Sequence, residues 1–121
     1  MVEEQFACNK EGMAAAQAFL ESHCDEPKPA IIMDEIVSNI VRCSGAETFD
    51  IGFDRTDNGI EMTFTDNGVA FDPTQEVAAP DLTTPVADRE VGGLGIFMVK
   101  KMAKSVAYQR NGQQNVLKVV L

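Results

Sequence analysis

Glu35 and Asn39 stand four residues apart in the stretch Asp34-Glu35-Ile36-Val37-Ser38-Asn39. On a helix that spacing points both side chains the same way. A carboxamide oxygen is a hard, neutral ligand for Mg²⁺, and a neighbouring carboxylate can orient or deprotonate a nucleophile. The pair therefore suits work beside a phosphate. A second segment, Asp66-Asn67-Gly68, follows a strand pattern. An aspartate at a strand end can accept a hydrogen bond from an exocyclic amine such as that of adenine, and Gly68 lets a flat base or a bridging water approach the backbone. A third, Val91-Gly92-Gly93-Leu94-Gly95-Ile96-Phe97, places glycines before an apolar helical pattern. Free backbone N–H groups and the positive end of the helix dipole make such a start an anion site. Taken singly, each segment also fits a plainer role: a solvated helix stripe, an ordinary turn, a flexible hinge.

The elements that would position these groups can be traced from periodicity. Residues 5–8 suit a short strand ended by Asn9, and residues 11–23 an amphipathic helix with Met13, Ala16, Gln17 and Leu20 at helical spacing. A second helix is predicted over 30–43, with Pro29 at its start, Ile32, Ile36 and Ile40 in one row, and Met33, Val37 and Val41 beside it. Ser44-Gly45 would close it, glycine favouring a left-handed helix end. Alternation predicts strands over 48–55 and 60–65, joined by a tight hairpin at Asn58-Gly59. Residues 66–91 hold Gly68, Pro73, Pro80 and Pro85 with little periodicity, a long loop of the kind that serves as a lid. A third helix is expected over 94–104, then strands over 105–110 and 115–121 around Asn111-Gly112. The order β-α-α-β-β-lid-α-β-β predicts an α+β fold: a two-layer α/β sandwich, its sheet mixed but mostly antiparallel, with helices on one face.

Composition sets the limits. The 121 residues are the size of one domain, residues 1–121, with no room for a second core. A formal net charge of −9 argues against direct nucleic-acid binding and against an anionic membrane surface, both of which call for clustered Lys and Arg. It does not argue against a nucleotide, whose phosphates can be held by backbone N–H groups and a metal ion. Cys8, Cys24 and Cys43 lack metal-site or disulfide-framework spacing and fit small buried thiols in a reducing compartment. Met1 leads directly into Val2-Glu3-Glu4, so neither a signal peptide nor a membrane helix is expected, and a cytoplasmic setting is.

The order and separation of the three segments matter more than any one of them. The strings DEIVSNIVRCSGA, FTDNGVAFDP and GGLGIFMVKKM resemble the N, G1 and G2 boxes of the ATPase superfamily that includes gyrase, heat-shock chaperones, histidine kinases and MutL, the Bergerat fold. Within it the chain is most similar to the small anti-sigma regulatory factors with serine/threonine kinase activity, and the resemblance covers nearly its whole length. It implies ATP and Mg²⁺ as ligands, with Asn39 as the Mg²⁺ ligand bridging the phosphates and Glu35 as general base for a substrate hydroxyl. Asp66 would bind the adenine amino group, with Gly68 shaping that pocket, and Gly92, Gly93, Leu94 and Gly95 would wrap the phosphates beneath the lid. Phosphoryl transfer asks mainly for positioning, a metal ion and charge stabilisation, which agrees with such a set.

The chain departs from the family pattern in places. Relatives often carry a basic residue just before the glycine run, where this chain has Glu90 and Val91, with Arg89 the nearest cation and Asp88 adding negative charge. Arg42-Cys43-Ser44 replaces an aromatic or histidine-containing stretch, and His23, the one histidine, has no role in the pattern. The resemblance implies a protein kinase that phosphorylates an antagonist protein and captures a sigma factor, with a homodimer formed through the sheet or first strand. The alternative is a nucleotide-gated protein-binding module without useful kinase activity.

Overall fold

The computed structural model describes residues 2–57, 59–70 and 93–121. In chain order these form β1 (Val2–Ala7), α1 (Lys10–Glu21), α2 (Pro27–Cys43), β2 (Thr48–Thr56), β3 (Gly59–Asp66), α3 (Gly93–Met102), β4 (Ser105–Asn111) and β5 (Gln114–Val120). The lid expected over 66–91 lies from residue 71 onward outside the described residues, as do Asn58 and Gly92.

Most elements follow the periodicity, and the differences have physical causes. Helix α2 starts at Pro27 rather than near Ala30. Both Pro27 and Pro29 fall in the first turn, where the missing N–H would have had no intrahelical acceptor. Strand β1 begins at Val2, well before residue 5, because the sheet extends it: it pairs with β2 from Val2↔Phe53 to Ala7↔Thr48. In the first hairpin Thr56 pairs with Gly59, so Gly59 already belongs to β3 rather than to the turn. Helix α3 ends at Met102 because the Lys104 N–H has turned to the Val120 carbonyl, at 2.7 Å. At the end of α2, Gly45 takes φ +70°, the left-handed stop expected there.

The five strands lie in the order β1-β2-β3-β5-β4. Every pairing among the described residues is antiparallel, so the sheet is antiparallel rather than mixed. Alternation then decides the layers. Phe49, Ile51 and Phe53 of β2, Met62 and Phe64 of β3, and Leu117 and Val119 of β5 are buried and join one core with helix residues. From the helices come Ala16 and Leu20 of α1, Ile32, Met33, Ile36, Val37 and Ile40 of α2, and Val99 of α3. The alternate positions, among them Asp50, Thr63, Thr65 and Lys118, face the other side and are only partly covered or exposed. There Lys118 and Glu61 form an ion pair at 3.1 Å. Among the described residues, all helices therefore pack on one face of the sheet. Among the described residues, no helix is long and apolar enough to cross a membrane.

Candidate functional site

Opposed residues of an antiparallel sheet share a face, so the register can be read across the strands in rows. One inward row runs Ile51, Phe64, Leu117 and Tyr108, and the next runs Phe53, Met62, Val119 and Val106. The row at the C-terminal end of β3 starts as they do, with Phe6 and Phe49, then turns polar: Asp66, Asn115, Arg110. The core face thus gives way at this end to hydrogen-bonding groups. Asp66 and Asn115 are nonetheless buried, at 7% and 6% exposure.

Burial on that scale demands partners, and they are present. Asp66 Oδ1 accepts from the Gly68 N–H at 2.9 Å and from Asn115 Nδ2 at 3.0 Å. Asn115 Nδ2 also donates to the Val69 carbonyl at 2.7 Å, and its Oδ1 accepts from the Tyr108 hydroxyl and, at 3.1 Å, from Arg110. Arg110 donates as well to the Gly68 carbonyl at 2.9 Å and to the Gly112 carbonyl at 3.0 Å. Among the described residues, the second Asp66 oxygen, Oδ2, has no hydrogen-bond partner, and no buried side-chain oxygen lacks one. Oδ2 is therefore the oxygen turned to solvent, able to accept from an incoming donor.

Gly68 joins this network to α2. The Val69 N–H donates to the Ser44 carbonyl at 2.9 Å, and a Cβ placed on Gly68 would lie 2.2 Å from that oxygen. Only a residue without a side chain permits so close an approach. The loop after β3 is thereby seated on the C-terminal end of the helix that carries Glu35 and Asn39. Ser44 lies five residues beyond Asn39, about 7.5 Å along a helix axis.

Glu35 and Asn39 are both half-buried. Asp34 faces α1, where it accepts a long bond from Gln17 at 3.4 Å, while Ile32, Ile36 and Ile40 face the sheet. At about 100° per residue, Glu35 and Asn39 fall on the flank turned away from α1 and beside the buried row. Among the described residues neither has a hydrogen bond or ion pair. Helix α2 also packs against α3, which Gly93 opens and which contains Leu94 and Gly95. Helix α2 is thus the neighbour of both the sheet end, through Ser44 and Val69, and α3.

Cys8 sits at the same end, its backbone N–H on the Glu47 carbonyl at 2.9 Å. Burial pushes its thiol above the ordinary value, a hydrogen bond with Ser44 lowers it, and the charge of Asp66 raises it further. The net rise describes a quiet thiol, not an activated nucleophile. Cys24 is buried, in keeping with a packing role. His23 is at the surface, its ring edge-on to Phe19 at 4.9 Å and stacked near Phe53 at 6.2 Å. A separate concavity of about 390 Å³ lies at the opposite end of the sheet, lined by residues including Lys28, Arg55 and Leu121, away from Asp66.

Asn115, Tyr108 and Arg110 were not marked by the motif reading. The signal was present for Asn115: it shares the phase of Leu117 and Val119, and an amide at an inward-facing position asks for partners.

Comparisons with known proteins agree with this architecture. The chain is 27% identical over 85 residues to the serine/threonine-protein kinase BtrW of Bordetella bronchiseptica, an alignment covering 70% of this chain and 59% of that relative. The chain thus spans less than two thirds of that relative's length. Among solved structures it resembles the Acinetobacter baumannii histidine kinase AdeS, with a TM-score of 0.56 and 14% identity over 98% of this chain and 66% of that one, a likeness of fold. A family model described as the histidine kinase-like ATPase domain matches residues 8–121, and the chain belongs to that family.

Proposed function

We propose that this chain is an ATP-dependent serine/threonine protein kinase that acts as an anti-sigma factor in a partner-switching system. The observation that carries the reading is Asp66: a buried carboxylate with one oxygen tied down and the other open, seated against the helix that bears Glu35 and Asn39. An acceptor-only group in that setting suits the exocyclic amine of adenine. Membership of an ATPase family, and likeness to a protein named as a serine/threonine kinase, support the same ligand and reaction class.

In this reading Asp66 binds the adenine amine and Gly68 leaves room for the base. Asn39 offers a hard, neutral oxygen to Mg²⁺, which keeps few protein ligands when phosphates supply others. Bound there, Mg²⁺ would neutralise charge on the transferring phosphoryl group. Glu35, one turn before Asn39, receives the proton of a substrate serine or threonine hydroxyl as that oxygen attacks the terminal phosphorus, whose bond to the β–γ bridging oxygen breaks so that ADP leaves with the electron pair. Gly92, Gly93, Leu94 and Gly95 supply backbone N–H groups to the phosphates at the start of α3. The protein substrate is an antagonist whose phosphorylation frees the kinase to hold a sigma factor. A homodimer and a cytoplasmic setting belong to the same reading.

The test is transfer of labelled phosphate from ATP to a cognate antagonist. Wild type should transfer it, and Glu35→Ala should lose most of the rate, on the order of 10²–10⁴-fold for a general base. Undiminished transfer by Glu35→Ala would remove that residue from the chemistry. Tight nucleotide binding and partner capture with no transfer by wild type would leave a nucleotide-gated binding module instead.

A further inference from the structure

We infer that Asn115 is a positioning residue that sets base specificity: by holding one oxygen of Asp66, it leaves a single acceptor, which fits adenine and disfavours guanine. This rests on the proposed adenine-binding role of Asp66. A carboxylate with both oxygens available is a two-pronged acceptor. Guanine presents two adjacent donors, N1–H and the N2 amine, that match both prongs. The corresponding edge of adenine presents one amine beside an acceptor nitrogen. A freely rotating Asp66 would therefore favour guanine, and restraint at one oxygen reverses the preference.

The orientation of the Asn115 amide follows from its neighbours. Arg110 can only donate, so the Asn115 atom 3.1 Å from it must be the oxygen. That turns Nδ2 towards two groups that only accept, the Asp66 carboxylate at 3.0 Å and the Val69 carbonyl at 2.7 Å. Both donors and both lone pairs of the amide are thus engaged, with Tyr108 supplying the remaining bond to Oδ1. A flipped amide would set nitrogen against Arg110 and oxygen against a carboxylate, two repulsive contacts at a buried position. The other bond to Asp66 Oδ1 comes from the Gly68 N–H, two residues away on the same loop, and moves with it. Asn115 is the restraint that comes from another strand.

The experiment compares Kd values for Mg·ATP and Mg·GTP by calorimetry in wild type, Asn115→Leu, Tyr108→Phe and Asp66→Asn, with a thermal melt of each. Asn115→Leu keeps the side-chain size and removes the donor. It should lower the ATP-over-GTP affinity ratio about tenfold or more, the value of a hydrogen bond to a charged group. Tyr108→Phe, which removes a donor that fixes the amide, should shift the ratio the same way by a smaller factor. A purely structural role would weaken both nucleotides equally, and an unchanged ratio in folded Asn115→Leu overturns the inference. Should that variant fail to fold, an unchanged ratio in Tyr108→Phe overturns it. ATP binding that survives Asp66→Asn undiminished would instead refute the adenine-binding role of Asp66, and this inference with it.

Discussion

Replacing Gly68 by alanine adds one methyl group at the point where the loop after β3 meets the end of α2. The new Cβ would lie 2.2 Å from the Ser44 carbonyl oxygen and 2.7 Å from both the Ser44 carbonyl carbon and Cβ. Ordinary contact begins near 3.4 Å, so the loop or the helix end must move by about an ångström. The obstacle is mostly backbone at the end of a helix whose inner face is buried, so the loop yields. Its retreat gives up the 2.9 Å bond from the Val69 N–H to Ser44 and disturbs the 2.9 Å bond from the Gly68 N–H to Asp66. Overpacking of this kind costs about 1–3 kcal/mol, and one lost backbone bond about 0.5–1.5 kcal/mol. Together they predict about 2–4 kcal/mol of destabilisation, a fall of roughly 10 °C in Tm for a domain near this size. Nucleotide affinity should fall as well, since Asp66 is displaced. Gly112→Ala is the control. That glycine has φ +60° and open space around it, so its penalty is conformational only, about 1–2 kcal/mol, with nucleotide affinity unchanged. Urea melts and calorimetry of both variants decide the matter. A Gly68→Ala protein as stable as wild type, or no less stable than Gly112→Ala, would refute the steric argument.

Three further outcomes are expected. Asn39→Ala should lose most of the Mg²⁺-dependent part of nucleotide affinity while keeping the Mg²⁺-independent part, measured by titrating ATP with and without the metal. Asn9→Ala should cost about 1 kcal/mol in urea melts, because the Asn9 side chain accepts from the Gly12 N–H at 2.8 Å and caps α1. Cys8 should react with iodoacetamide more slowly than a free thiol at pH 8, because burial raises its pKa on folding and leaves less thiolate. The linked stability is fully present below the ordinary thiol value of 9.0 and is lost as pH rises through the folded value, so urea midpoints should decline in that alkaline range.

The secondary structure of the described residues was largely legible because its signals are local. Ile32, Ile36 and Ile40 mark a helix face, Phe49, Ile51 and Phe53 mark a strand face, and Gly45 marks a helix stop, each within one short window. The ends of elements were less legible. Whether β1 begins at Val2 or at Gln5 depends on how far β2 runs beside it, and the string Val2-Glu3-Glu4 has no apolar alternation to announce it.

The site divides along the same line. Residue type and order alone singled out Glu35, Asn39, Asp66, Gly68 and the glycines at 92, 93 and 95, since carboxylates, amides and glycines carry their chemistry with them. Only the folded chain showed why Gly68 has to be glycine, because Ser44 is 24 residues away and the clash exists only across a helix end and a strand end. Asn115 and Asp66 are likewise 49 residues apart and become neighbours through the β3–β5 register. Hydrogen bonds reach about 3 Å and contact repulsion less than 4 Å, so neither is written in a one-dimensional string until the sheet has brought its partners together.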